Sequence, residues 1–332
     1  MNAELLKRLV RAIASGSHDD LDKLARKVVD AERASGHARL AKELDGILSR
    51  ATRTPGLGNA AHSLAFRELP VSRRNQERLV TLVPQEALEH HMVLPPDTEG
   101  RFARIEREFA ARERLGMFGL KPRRTVLLYG PPGCGKSLGA KRLAWNTGLP
   151  LMKVRFDALL SSYFGESLSN LRAVFDAAKA QPCVLLLDEC DFIARSRAGS
   201  KDVGEASRVV NMLLQLLEEF DAPGLLVATT NLEGALDDAL FRRFDEVLQV
   251  PPPGPNEIEK LLKLTLSSLT VGKTVEWSLL VSTMKGQSAA QVVKLAQDAA
   301  KAAVLGDEKT VDERHLRAAC AELHRHRPDA DQ

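Results

Sequence analysis

The stretch TVLLYGPPGCGKSLGA, residues 125–140, constrains the fold of this 332-residue chain more than any other. Thr125–Tyr129 is an apolar run of strand length, and the segment from Lys136 onward reads as a helix. Between them lies Gly130-Pro131-Pro132-Gly133-Cys134-Gly135-Lys136-Ser137, which matches G-x-x-x-x-G-K-[ST] in the strand–loop–helix setting that the pattern requires. Glycines at those positions let successive backbone N–H groups wrap a phosphate chain, and the helix start behind them favours an anion. Lys136 is expected to reach the outer phosphates, Ser137 to hold Mg2+, and Leu138 to complete the nucleotide contacts begun by residues 130–137.

The strand at 125–129 is one of a series. Leu151–Phe156, Val184–Leu187, Leu225–Thr229 and Val247–Val250 are further short apolar runs, most of them separated by helix-length segments. That alternation predicts an α/β domain built on a parallel five-stranded sheet with helices on both faces. PPPGP at 251–255 ends the series, and 256–324 is helical in pattern throughout. The expected layout is a small all-α region over 1–50, a linker or belt over 51–98 and the α/β domain over 99–253. A helical domain over 254–325 and a tail over 326–332 complete it.

The second half of a phosphate site is an acid at the end of a buried strand. VLLLDE at 184–189 supplies two: Asp188 is expected to hold Mg2+ through water, and Glu189 to orient and polarise an attacking water. The expected reaction is therefore hydrolysis of ATP. Composition removes other classes. A net charge of +3 gives no electrostatic case for nucleic acid or an acidic membrane as main partner. No apolar run is long enough to span a membrane, and the amphipathic N-terminus lacks the apolar stretch of a signal peptide. Cys134, Cys183, Cys190 and Cys320 have neither disulfide-framework nor zinc-site spacing, so a reducing cytoplasm is expected.

With these residues in place, the chain resembles the AAA branch of the AAA+ ATPases over about residues 100–320. The motifs are LLYGPPGCGKS (127–137), VLLLDE (184–189), RVVNMLLQLLEEF (208–220), ATTN (228–231) and LDDALFRRFDEVLQVPPP (236–253). The resemblance implies a P-loop AAA+ module with a C-terminal helical lid. It makes Asn231 the polar residue that helps place the water, and Arg242 and Arg243 the arginine-finger positions that act on a neighbouring subunit's ATP. The compact Arg242-Arg243-Phe244-Asp245 looks like the microtubule-severing and membrane-remodelling relatives spastin and katanin, and leaves either arginine as the principal finger. Gly286-Gln287-Ser288-Ala289-Ala290 resembles the lid segment beside adenine and ribose, which puts Gly286 and Ala289 among the nucleotide contacts.

SSYFGES at 161–167 lies where relatives carry their first pore loop, an aromatic–hydrophobic–glycine turn. The resemblance makes Tyr163 the aromatic that grips an extended polypeptide, with Phe164 sharing or bracing it and Gly165 as the hinge. Residues 194–207 are a candidate second loop. The implied protein is a homo-oligomeric ring, a hexamer with ATP bound, that remodels or unfolds a polypeptide substrate by threading it. The chain has no H-E-x-x-H metalloprotease motif, so proteolysis would need a separate partner. The layout of one AAA module behind a short helical head also resembles bacterial ATPases paired with subtilisin-like serine peptidases in plasmid maintenance and phage defence. The competing reading is an ATP-controlled assembly or signalling switch, or a nucleic-acid-associated ATPase, that threads nothing.

Overall fold

A computed structural model describes residues 69–72, 76–159, 164–191, 203–231, 241–272 and 275–325, leaving out the side chains of residues 164, 165, 203–207, 324 and 325. The chain divides into two compact units, Met1–Ala65 and Phe66–Gln332. The helical region expected over 1–50 and the tail at 326–332 lie outside the described residues, and the account below concerns the second unit.

Six strands form one sheet in the order β1-β3-β4-β5-β2-β6. β2 (Thr125–Tyr129), β3 (Leu151–Val154), β4 (Val184–Leu187), β5 (Leu225–Thr230) and β6 (Glu246–Gln249) run parallel, as the apolar runs predict. β1 (Val80–Val83) pairs antiparallel with β3 at the border. The expected linker over 51–98 is therefore corrected from Leu79 onward. Leu79 and Val80 are fully buried, and the chain from there to Pro96 belongs to the α/β domain. Four residues with a half-exposed edge carry too little alternation to announce a strand.

Among the described residues, the α-helices of this domain are α1 (Pro96–Ala110), α2 (Arg112–Met117), α3 (Lys136–Thr147), α4 (Phe156–Leu159), α5 (Phe164–Ala180) and α6 (Val203–Glu218). Strand residues alternate between two apolar layers. Val126, Leu128, Val184, Leu186 and Val227 meet Phe102, Ile105, Phe109 and Leu143 of α1 and α3. On the opposite face, Leu127, Leu185, Leu187 and Leu226 meet Leu171, Phe175, Leu213 and Leu217 of α5 and α6. Burial on both faces is why the strands read as continuous apolar runs. At the β6 border, Arg101 of α1 donates from Nη2 to the Val247 carbonyl (2.6 Å) and from Nε to Glu246 (2.7 Å).

Pro255 occupies the first turn of α7 (Pro255–Thr265), where its missing N–H costs nothing, so the Pro-rich segment ends the sheet and opens the helical domain. α8 (Trp277–Thr283), α9 (Ala289–Leu305) and α10 (Glu313–Arg325) follow, around a core that includes Ile258, Leu262, Met284, Val292, Ala296 and Leu316. The all-helical expectation for 256–324 needs one correction: β7 (Thr270–Val271) and β8 (Thr310–Val311) form a short parallel pair. Ser288 and Gln291 close a capping box at the start of α9, satisfying backbone donors that a helix start leaves without partners.

Candidate active site

The phosphate loop links β2 to α3. Gly130, Gly133 and Gly135 adopt φ of +138°, +75° and +97°. A side chain at Gly130 would place its Cβ 2.4 Å from the Val250 carbonyl oxygen, so the turn accepts only glycine. Lys136 is buried at 7% exposure, and its ammonium donates to the Gly130 and Pro131 carbonyls at 2.7 Å each. Burial pulls this ammonium below its ordinary value, against the opposing effect of Cys134, Asp191, Asp188 and Glu189. A buried ammonium hydrogen-bonded only to neutral carbonyls, beside glycines in left-handed conformations, suits a polyphosphate anion.

The acids arrive on the neighbouring strand ends. Asp188 follows β4, and its Oδ1 accepts from the Ser137 and Thr229 hydroxyls at 2.7 Å each, while Oδ2 accepts from Lys153 at 2.6 Å. Burial pushes the Asp188 carboxyl up, but hydrogen bonds from Lys153, Ser137 and Thr229 outweigh it and hold the group below its ordinary value. An ionised carboxylate and a primary hydroxyl side by side form a hard oxygen donor set that fits Mg2+. Glu189 is exposed, at φ +57°, with its N–H donating to Thr229 Oγ1 at 2.9 Å. A non-glycine residue in the left-handed region carries strain of about 1 kcal/mol or more, a feature that clusters at functional sites. Asn231 directly follows β5 and is fixed by Asp191, which accepts from its backbone N–H (2.9 Å) and its side-chain amide (3.0 Å). Lys136, Ser137, Asp188, Glu189 and Asn231 thus converge on one end of the sheet.

A cleft of about 830 Å3 opens beside the loop. Gly133, Cys134, Gly135 and Leu138 form its floor, Ala289, Ala290 and Val293 of the helical domain one wall, and residues 86–93 another. Gly286 lies outside this lining and instead makes the turn, at φ +81°, that leads toward α9. The helical domain meets the loop directly, for the Ala290 N–H donates to the Gly133 carbonyl at 2.9 Å. The 86–93 strap is pinned to α3 by His90 stacked face to face on Trp145, 4.2 Å between centroids and 1° apart. Sequence reading missed this strap, and also Lys153, Thr229 and Asp191. The first threonine of ATTN, two positions before Asn231, was the available signal for Thr229.

Comparison with known proteins agrees with this geometry. Residues 126–252 match the family described as ATPase family associated with various cellular activities (AAA). Over 326 residues, 98% of this chain and 96% of the relative, the sequence is 34% identical to the uncharacterized AAA family ATPase y4kL of Sinorhizobium fredii (strain NBRC 101917 / NGR234). The chain belongs to the AAA family of ATPases.

In this AAA ATPase the two arginines expected as fingers have different surroundings. Arg242 is exposed. Arg243 is half-buried, with Nε 2.7 Å from Glu218 Oε1 in an ion pair rather than an aligned hydrogen bond. Asp245, next but one, accepts from the Arg124 and Thr125 N–H groups (2.8 and 3.0 Å), and its own N–H donates to Thr125 Oγ1 (2.9 Å). The arginine loop is therefore tied to the start of the strand that feeds the phosphate loop. Tyr163 lies outside the described residues, as do residues 194–202 of the second candidate loop, while 203–207 fall in α6. Phe164 and Gly165 are the first residues of α5. Among the described residues, no helix is long and apolar enough to cross a membrane.

Proposed function

We propose that this AAA ATPase hydrolyses ATP as a homo-oligomeric ring, a hexamer, that remodels or unfolds proteins by threading polypeptide through a central pore. The observation that carries the hydrolytic part is the shared network in which Thr229 bonds both Asp188 and the backbone of Glu189, while Ser137 bonds Asp188. Lys136 and the backbone N–H groups of residues 130–137 bind the phosphates. Ser137 and Asp188 hold Mg2+, which neutralises charge on the outer phosphate oxygens when bound. Glu189 takes up the proton of a water whose oxygen attacks the terminal phosphorus, and the bond to the bridging oxygen breaks to leave ADP. Asn231, held by Asp191, positions that water.

Arg242 is the finger toward the neighbouring subunit, because it is exposed whereas Arg243 is engaged with Glu218. Tyr163 grips the polypeptide, as its place in the motif order suggests. The spastin- and katanin-like arginine pair supports a remodelling role, and a separately encoded serine peptidase is the partner class that the layout suggests.

Glu189→Gln tests the chemistry. Turnover should fall by about 10²-fold or more, with ATP retained and the ring stabilised in sedimentation. Turnover at the wild-type rate refutes the assignment. Tyr163→Ala should keep ATPase activity and lose unfolding of a fluorescent substrate. Unchanged unfolding refutes threading. Affinity capture with the Glu189→Gln variant and ATP reads out the substrate and any peptidase together.

A further inference from the structure

The carboxylate assigned to Mg2+ already has a cation of the chain's own. Lys153 lies on β3, in register with Leu186 of β4, so its long stem spans the two residues up to Asp188. Strand alternation sets the side. Met152 and Val154 pack in the layer under α5 and α6, and Leu151 in the layer under α1 and α3. Lys153 therefore projects toward α3, whose first turn carries Ser137. Its Nζ lies 2.6 Å from Asp188 Oδ2. The pair is asymmetric, with the Lys153 side chain 47% exposed and Asp188 only 10%. The carboxylate is fixed, and the ammonium has open water beside it.

Both Asp188 oxygens are engaged, Oδ1 by the two hydroxyls and Oδ2 by Lys153. The other ammonium of the site, Lys136, bonds the loop carbonyls instead. A divalent cation held through Ser137 and Asp188 must therefore compete with Lys153 for the same negative charge.

We propose that Lys153 is a positioning residue that stands in for the divalent cation. It holds Asp188 aimed at Ser137 before nucleotide arrives, yields to the incoming metal, and so sets the Mg2+ concentration at which nucleotide binds tightly. This rests on the reading of Asp188 as the metal carboxylate.

The test is equilibrium binding of a fluorescent ATP analogue across free Mg2+ concentrations and in EDTA. Lys153→Met should lower the half-saturating Mg2+ by about fivefold, as removal of a half-exposed charge partner implies. Binding in EDTA should not strengthen, because without metal the variant leaves the Asp188 charge uncompensated near the phosphates that Lys136 and the loop hold. Lys153→Arg should keep the wild-type Mg2+ midpoint. If the Met variant does not fold, Lys153→Gln carries the same expectation. A midpoint equal to or above wild type overturns the proposal, including the case where melting temperature falls and the midpoint stays. Asp188→Asn separates the two readings. If it leaves the Mg2+ dependence intact, the metal assignment itself fails. If it abolishes that dependence while Lys153→Met shifts nothing, only the role of Lys153 fails.

Discussion

Gly133→Ala probes the junction between the phosphate loop and the helical domain. At φ +75°, a Cβ on Gly133 would lie 2.8 Å from Ser288 Oγ, 3.1 Å from Ser288 Cβ and 3.4 Å from Ala290 Cβ. Two costs are separable. An alanine in the left-handed region costs about 1–2 kcal/mol. The overlap then either turns Ser288 out of its capping box, for about 1 kcal/mol, or pushes the domain away and breaks the Ala290–Gly133 hydrogen bond, for about 1 kcal/mol. Together these give about 2–3 kcal/mol, a fall in Tm of roughly 4–12 °C for a unit of this size. Thermal melts followed by circular dichroism measure it. Ser288→Gly removes both close atoms, so the double variant should melt higher than the sum of the single effects predicts. The expected coupling is about 1 kcal/mol. An unchanged melt for Gly133→Ala, or strict additivity in the double variant, refutes the idea that the loop and the helical domain touch as described.

Two further variants follow from side-chain surroundings. Arg243→Ala should lower stability by about 1 kcal/mol or less through its Glu218 pair, whereas Arg242→Ala should leave the melt unchanged, cut turnover by about 10³-fold or more when every subunit carries it, and lower turnover through the interface in assemblies mixed with wild type. The reverse pattern would move the finger to Arg243. Glu99 is held below its ordinary value of 4.5, chiefly by a hydrogen bond from Arg142, against the opposing effect of burial. A depressed carboxyl stabilises the fold above its unfolded value and loses that contribution as pH falls through the folded one. The melting gap between wild type and Glu99→Gln should therefore be full above about pH 4.5 and close on acidification. A gap that widens in acid contradicts the pairing.

The five parallel strands were legible because they are largely buried on two faces and so largely apolar, completely so in VLLL of β4. The phosphate loop was legible because its glycines meet backbone limits that are local. What escaped notice depends on long-range register. Lys153, Thr229 and Asp191 acquire meaning only when β3, β4 and β5 lie side by side and bring them to Asp188 and Asn231. β1 is short and half-exposed, and the strap after it mixes polar and apolar residues without alternation, so neither shows a period. Arg242 and Arg243 are equivalent as letters. Glu218, at the end of α6, distinguishes them. Gly286 and Ala289 share a motif, yet the cleft takes only the second, because the capping turn at Ser288 separates them.

The guanidinium of Arg101 occupies the Val247 carbonyl on the outer side of β6, where the amide of a further strand would otherwise bond. Extending the sheet there would mean expelling a charged group that is also paired with Glu246. That border is closed to strand addition, whether from a correctly folded neighbour or from an unfolding one. A copy of this chain that met that side would do so through side-chain surfaces, which can separate and re-engage, rather than through a continuous backbone ladder that would lock the two together.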